Sequence, residues 1–445
     1  MATQATETQA AFGGFSAELF SAHAAGQTAA PSWWLERKRA AYARFASLAM
    51  PARTDEAWRF STIAGLAVDA SRKAGPGELG AAMPVPALAA RAALTFSGNR
   101  LAGRGQPPPD LARQGVTVET LSEAVLRHPD LLREHFMAQP QRLGSGKFAA
   151  LHEAFVQEGA FIHVPPGVEV SEPIVLVHRA EEGPSFPHTL VIAGDGSKVS
   201  VVDLFLAGAV PQRTALAVGA NDLYAGHGAK IAYAGVQDWS RETLSFQLNS
   251  TVVRRDASVQ SLNIHLGGRQ ARHESLSQLQ APGAFSEMLA LTAAEGSQEF
   301  DQRTLQIHQA PNTKSDLLYK NALAGRARTI FSGLIVVDQD AQKTDAYQSN
   351  RNLMLSDDAE ANSLPGLEIQ ANDVRCTHGA TTSRVDPEQE FYLKSRGIDP
   401  TRAHELLVFG FFEEVLNRLG DAGIHGALTE MIVAKFKGLR SPHAR

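Results

Sequence analysis

Between residues 196 and 361 the sequence repeats a short unit: a turn signal, a small residue, then a strand of alternating apolar positions. The clearest copies are Gly196-Ser197-Lys198-Val199-Ser200-Val201 and Gly228-Ala229-Lys230-Ile231-Ala232-Tyr233. Fainter copies begin at Asp256-Ala257, Gly283-Ala284, Arg326-Ala327 and Asp358-Ala359. Their small residues, at 197, 229, 257, 284, 327 and 359, fall 32, 28, 27, 43 and 32 positions apart. A unit of this size cannot bury its own apolar face, so successive units must stack as the coils of a solenoid. A parallel β-helix suits the pattern, with small residues at tight corners and β-branched residues stacked inside. A β-sandwich with turns every ~8–12 residues is the competing architecture.

The strand texture begins near Phe155, with Phe161-Ile162-His163-Val164, Ile174-Val175-Leu176-Val177 and Thr189-Leu190-Val191-Ile192. Before it the chain reads as mainly helical. Pro31-Ser32-Trp33-Trp34 precedes a helix-periodic stretch from Leu35 to Ala49, ended by Pro51, and a second stretch runs from about Val118 to Met137. Turn signals stand at Gly75-Pro76-Gly77 and Pro107-Pro108-Pro109, and Arg104–Asp110 and Gln139–Gly146 read as linkers.

After the strands the pattern is helical again. Pro387–Ser395 forms one helix, stopped at Gly397, and Asp399-Pro400 caps another that runs to about Leu419. Its stripe is Ala403, Leu406, Leu407, Gly410 and Phe411, widened by Phe409, Phe412 and Leu416 beyond what one packed face requires. A last helix covers roughly 424–437, with Leu428, Met431, Ile432 and Phe436 on one side. These helices either cap the solenoid end or present a surface to a partner. The organisation expected is therefore a helical region 1–147, a β-helix 148–385 and a helical region 386–445.

Composition narrows the function. With 42 basic and 47 acidic side chains the net charge is −5, which gives no electrostatic case for nucleic acid or anionic lipid. No apolar run approaches the ~18 residues of a membrane span. Met1 to Gln9 is polar, lacks the order of a signal peptide and reads as a disordered tail. The expected location is the cytoplasm. A single cysteine, Cys376, excludes an internal disulfide framework and any self-contained four-cysteine metal or cluster site.

Nucleotide motifs fail on inspection. Gly144-Ser145-Gly146-Lys147 has glutamine at 141 in place of the first P-loop glycine and Phe148 in place of the Ser/Thr, so a flexible linker is expected there. Gly194-Asp195-Gly196 has Val199 at the third glycine position and no helix after it. The remaining chemistry sits at Cys376-Thr377-His378. Residues two apart on a strand share a face, so thiolate and imidazole are placed to meet one iron or zinc ion. Two ligands do not complete a site, so a neighbour must supply the rest. A buried structural cysteine beside an incidental histidine is the competing reading. A Cys–His nucleophile and base is disfavoured, because such partners normally come from separate segments. His163, His178, His227, His265, His273 and His308 are scattered without ligand spacing.

From Asp301 to Phe411 the sequence resembles a known family. Gln348-Ser349-Asn350-Arg351-Asn352-Leu353-Met354-Leu355-Ser356 is followed by Pro365-Gly366-Leu367-Glu368-Ile369. Asp373-Val374-Arg375-Cys376-Thr377-His378-Gly379-Ala380-Thr381 and Phe391-Tyr392-Leu393-Lys394-Ser395-Arg396-Gly397-Ile398 complete the series. In order and spacing these resemble the shared signature of the SufB/SufD family of iron–sulfur cluster assembly scaffolds. Asp301-Gln302-Arg303-Thr304, His308 and Lys320-Asn321 resemble the preceding block. Thr54-Asp55-Glu56-Ala57-Trp58-Arg59-Phe60 resembles the entry motif of the SufD members, and length and the lone cysteine favour that branch. Thr382-Ser383-Arg384 departs from the family's usual Val-Gly-Arg.

The resemblance implies a right-handed parallel β-helix between helical end domains, a mainly β fold. It also implies a complex with SufB and the ABC-type ATPase SufC, with sulfur arriving from a cysteine desulfurase system. The chain would be a non-enzymatic scaffold in which His378 and Cys376 contribute to a cluster or iron site shared with SufB. A transient cluster or iron would be its cargo, with reduced flavin a candidate participant. The ATPase would dock on the C-terminal helices, at Arg396, Arg402, Leu406, Phe409 and Phe412. Two rivals stay open: a self-associating SufB-like homodimer, and a β-helix hydrolase or lyase acting on polysaccharide. The latter would need paired carboxylates on one face, and no acidic cluster recurs at coil spacing.

Overall fold

The computed structural model describes residues 14–62, 66, 92–105, 109–181, 183–208, 216–420 and 422–436. The expected tail Met1–Gln9 and the turns at Gly75-Pro76-Gly77 and Pro107-Pro108 lie outside them. The first part of the chain holds α1 (Ala17–Ala25), α2 (Ser32–Ser47), β1 (Ala92–Ser97), β2 (Arg100–Arg104), α3 (Pro109–Arg113), β3 (Thr117–Thr120), α4 (Leu121–Arg127), α5 (Pro129–His135) and α6 (Gly146–Phe155). Then come β4 (Ala160–Val164), β5 (Ile174–Arg179), β6 (His188–Ala193), β7 (Lys198–Leu206), β8 (Leu216–Ala225), β9 (Lys230–Asp238), β10 (Leu244–Val253) and β11 (Ser258–His265). The series continues with β12 (Gln270–Leu279), β13 (Phe285–Ala294), β14 (Glu299–His308), β15 (Lys314–Leu323), β16 (Arg328–Val337), β17 (Asp345–Met354), β18 (Glu360–Ile369) and β19 (Arg375–Arg384). Three helices close it: α7 (Pro387–Ser395), α8 (Pro400–Leu416) and α9 (Ala422–Phe436).

Odd-numbered strands from β5 to β19 pair in parallel in one sheet, even-numbered strands from β4 to β18 in the other. Each coil thus gives one strand to each sheet, and the fold is a mainly β parallel solenoid rather than a sandwich. From β7 onward the odd strands begin at 198, 230, 258, 285, 314, 345 and 375, a period of 27–32 residues. The anomalous spacing of 43 in the sequence repeat has a simple cause. Ala284 precedes an odd strand, whereas Ala327 precedes an even one, so the repeat crossed from one sheet to the other. The two odd-sheet corners after Ala284 carry no glycine: Asn312 (φ 57°) and Lys343 (φ 60°) adopt the left-handed conformation themselves. The composition signal for a turn was absent there.

The helical stretches needed adjustment. The helix expected from 35 to 49 is α2, which starts at Ser32, ends at Ser47 and buries Trp34, Ala41 and Phe45. The expected helix 118–137 is a strand followed by two helices. β3 pairs antiparallel with β4, Thr120 and Glu123 form a capping box at α4, and Pro129 opens α5. The Gly144–Lys147 segment is no flexible linker. Ser145 is buried, its hydroxyl donates to Glu274 at 2.6 Å, and Lys147 donates to the Phe45 carbonyl at 2.8 Å. Gly144, at φ 114°, leaves no room for a Cβ against Ala57 and Arg272. α6 spans the expected 147/148 division.

The N-terminal helices cover the outer face of the even sheet, where Phe148 stacks on Phe246 with ring centroids 3.6 Å apart. Beside them lies a buried ionic cluster. Arg272 donates to Glu274 at 2.7 Å, to the Ala57 and Leu143 carbonyls at 2.8 and 2.6 Å, and to Asp301. Its guanidinium lies 3.9 Å from the centre of the Trp58 ring. Arg303 donates to Asp301 at 2.6 Å and to the Arg59 carbonyl at 2.8 Å. The Thr54–Phe60 motif is therefore a pin that fastens the N-terminal segment to the solenoid.

The interior is not the β-branched stack expected throughout. Val199, Val201, Ile231, Val253 and Val259 fill the early coils. Further on, Gln237, His265, Thr292, Asn321 and Asn352 align in register from coil to coil. Gln302 donates across to Thr292 at 2.7 Å and Asn321 at 3.1 Å, and Asn321 to Asn352 at 2.8 Å. The apolar partners of these residues, Leu262, Ile264, Leu289, Leu291 and Leu318, face outward and are covered by Val408, Phe412, Val415, Leu416, Leu428 and Met431 of the C-terminal helices. Those helices thus lie across the odd sheet rather than over the last coil.

Two outcomes follow. Arg272→Ala leaves Glu274 and Asp301 buried without their cation and should cost about 3–5 kcal/mol, read as a lower denaturant midpoint and earlier proteolysis near residue 60. Burial alone would raise the Asp301 carboxyl, but Arg272 and then Arg303 overcome this and hold it below its usual range. Its stabilisation is complete above the unfolded value of about 3.9 and is lost as pH falls through the lower folded value. The stability difference between wild type and Asp301→Asn should therefore shrink in acid, as measured by urea unfolding across pH.

Candidate functional site

The chemistry-bearing residues lie on β19, the last rung. Among the described residues β19 pairs only with β17, and β18 only with β16, so both end strands leave an edge free of ladder partners there. In register, Ala346 opposes Cys376 and Gln348 opposes His378. Strand alternation puts Cys376 and His378 on one face, that of the solenoid interior at its open end. Cys376 is half-buried against Ala346, Ile335 and Leu367; His378 is exposed. Burial pushes the Cys376 thiol up, and the Asp345 carboxylate adds to this, against a hydrogen bond from the Ala346 backbone that favours thiolate.

Beneath this rung the Gln348-Ser349-Asn350-Arg351-Asn352 segment alternates between two tasks. Inward, Gln348 donates to the Gly366 carbonyl at 3.1 Å, tying the odd sheet to the even one. A Cβ at Gly333 would collide with its Oε1. Asn352 donates to Asn350 at 3.0 Å, to Ser363 at 3.2 Å and to the Thr381 carbonyl of β19 at 3.3 Å. Outward, Arg351 pairs with Glu414 of α8 at 3.0 Å. The sequence signal for these roles is the run of amides at 348, 350 and 352, with period two. Among the described residues, no group of three or more His, Cys, Asp or Glu side chains is placed to hold a metal ion. Cys376 and His378 supply two donors, which fit part of an iron or cluster coordination sphere.

His178, His265, His273 and His308 are interior. His178 lies 3.3 Å from Asp203, both enclosed, and Thr189 and Tyr233 donate to Asp203 at 2.6 and 3.0 Å. This group resembles a triad but has no access for a substrate. His265 and His273 stack with ring centroids 3.6 Å apart, an association the sequence did not reveal. Burial lowers both, His273 to about 3, so they are neutral at physiological pH. His308 is satisfied by Thr313 and Ser315, each at 2.8 Å. His163 is half-buried and His227 exposed.

The C-terminal docking set is only partly exposed. Arg396, Arg402 and Leu406 face solvent, and Arg402 pairs with Glu405 at 3.0 Å. Phe412, 1% exposed, belongs to the core against the odd sheet, and Phe409 packs on the same cluster. Phe412 therefore cannot meet a partner. The buried stripe of α8 is Ala403, Val408, Phe412, Val415 and Leu416, not the one centred on Leu406 and Phe411. Two aromatic side chains outside that set stand out on α7: Phe391 is 72% and Tyr392 56% exposed. Arg396 lies 5.2 Å from the Tyr392 ring centre.

With its pKa raised, Cys376 is mostly thiol at neutral pH. Iodoacetamide should modify it more slowly than a cysteine peptide at pH 7.5, and the gap should close as pH rises above the ordinary thiol value of about 8.5, as followed by intact-mass spectrometry.

Residues 176–411 match the family described as "SUF system FeS cluster assembly, SufBD core domain", and residues 17–176 match "SufBD protein N-terminal region". The iron–sulfur cluster assembly protein SufD of Bacillus subtilis is 29% identical over 331 residues, covering 74% of this chain and 76% of that protein. SufD of Escherichia coli is 28% identical over 407 residues, covering 87% and 90%. The rung carrying Cys376 and His378, and the amide ring beneath it, both fall inside the matched core. The chain belongs to the SufB/SufD family of iron–sulfur cluster assembly proteins.

Proposed function

We propose that this protein is a non-enzymatic scaffold subunit of a cytoplasmic SufBCD-type complex, and that iron or a nascent iron–sulfur cluster is its cargo. The observation that carries this reading is a thiol and an imidazole side by side on the last, half-paired strand of the solenoid. Two donors hold such a cargo only if a neighbour supplies the others. The open edges of β18 and β19 offer backbone groups with which a strand from SufB can pair. His378, exposed, would be the accessible donor; Cys376, half-buried and mostly thiol, would join when the partner's surface or the metal itself favours thiolate. Sulfur would reach the junction from the desulfurase system through SufB, and reduced flavin would act elsewhere in the complex.

Exposed Phe391, Tyr392 and Leu406, with Arg396 and Arg402 beside them, support α7 and the start of α8 as the dock for SufC. Lys320 and Arg351 both pair with Glu414, so this helix is fastened to the strands that underlie β19. A homodimer of the chain would use the same free edges, and native mass with and without SufB distinguishes the two assemblies.

The test is cluster assembly by the reconstituted complex. His378→Ala should lower cluster yield at least as much as loss of an outer-shell metal partner, about 10–100-fold. Because His378 is exposed, the thermal midpoint of the subunit should move by no more than about 2 °C. Normal yield from this variant would remove His378 from the site.

A further inference from the structure

Where the chain turns from α8 into α9, a groove of about 440 Å³ lies between that turn and the outer face of the odd sheet. This falls in the range of roughly 300–1,000 Å³ that holds small organic ligands. Small side chains, Ser200, Ala232 and Ser258, form its floor, while Phe285, Leu419 and Ile424 give it an apolar wall.

Lys198 and Lys230, which also line the groove, are directly opposed on adjacent parallel strands. Like charges in this arrangement destabilise a sheet. Glu169 pairs with Lys198 at 2.7 Å, but among the described residues no carboxylate forms an ion pair with Lys230. The opposite side is electrically settled. Arg418 is paired with Glu287 at 3.1 Å and Asp316 at 2.8 Å, and Gln260 donates to Glu287 at 2.6 Å and to the Arg418 carbonyl at 2.9 Å. The groove thus sets one guanidinium, held by two carboxylates, opposite a pair of cations that share one counter-charge.

We propose that this groove binds a small amphipathic anion, its acid group held by Lys230 and Lys198 and its apolar body against Phe285, Leu419 and Ile424. The proposal is independent of the assembly role, because the groove lies on the outer face, away from the Cys376–His378 rung.

The probe is 8-anilinonaphthalene-1-sulfonate, titrated by fluorescence against the full chain. Lys230→Gln should weaken saturable binding by about fivefold, the scale of one exposed charge contact, and Ser200→Trp should abolish it by filling the floor. Both positions are on the surface, and circular dichroism verifies that the variants fold. Displacement of the dye by adenosine monophosphate assigns the site to phosphates, and displacement by octanoate assigns it to carboxylates. Wild-type affinity in either variant, or a dye displaced by neither competitor, overturns the proposal.

Discussion

The parallel ladder of the solenoid governs everything else in this molecule. Each strand donates and accepts through two neighbours one coil away, so every rung both needs and supplies a partner. A ladder of this kind has ends, and an end costs unpaired backbone groups. At the N-terminal end β3 and β2 pair antiparallel onto β4 and β1 and occupy the edges. At the other end no strand among the described residues covers β18 and β19, and the C-terminal helices are spent on the apolar outer face of the odd sheet.

That choice follows from where the apolar residues are. A solenoid with an amide, hydroxyl and imidazole interior gains less from burying its inside, and its outward leucines demand a cover instead. Phe412, Val415 and Leu416 provide it, with Lys320, Arg351 and Arg418 pinning the helices to successive strands. On the opposite face Arg272 and Asp301 do the same for the N-terminal segment. Charged pairs so deeply enclosed contribute specificity of docking more than net stability, because desolvation offsets most of their attraction.

The site inherits its character from these constraints. Cys376 and His378 share a face only because they lie two apart on an extended strand, and that face stays reachable only because no further coil follows. The Asn352 amide reaches the Thr381 carbonyl of the rung itself, and the Gln348 amide ties the strand beneath it to the even sheet. The one segment therefore fixes the rung inwardly and the helix outwardly, which accounts for its alternating Gln, Asn and Arg.

The sequence by itself determined the coil, from turn residues and two-residue alternation near 197, 229 and 257, and the shared face of Cys376 and His378, since both are local properties of an extended chain. It also excluded a self-contained four-cysteine cluster site, as there is one thiol. It lost the count at 313 and 344, where Asn312 and Lys343 rather than glycine take the corners, and it read Phe412 as available and Ser145 as part of a linker. The last two errors share a cause. Which side of a strand or helix is inside depends on what packs against it, and a β-helix reverses the usual rule by burying leucine outward under helices and amides within. Only the tertiary structure decided that, because it is settled by contacts between residues far apart in the chain, such as Arg272 with Trp58 and Lys320 with Glu414, that no local pattern encodes.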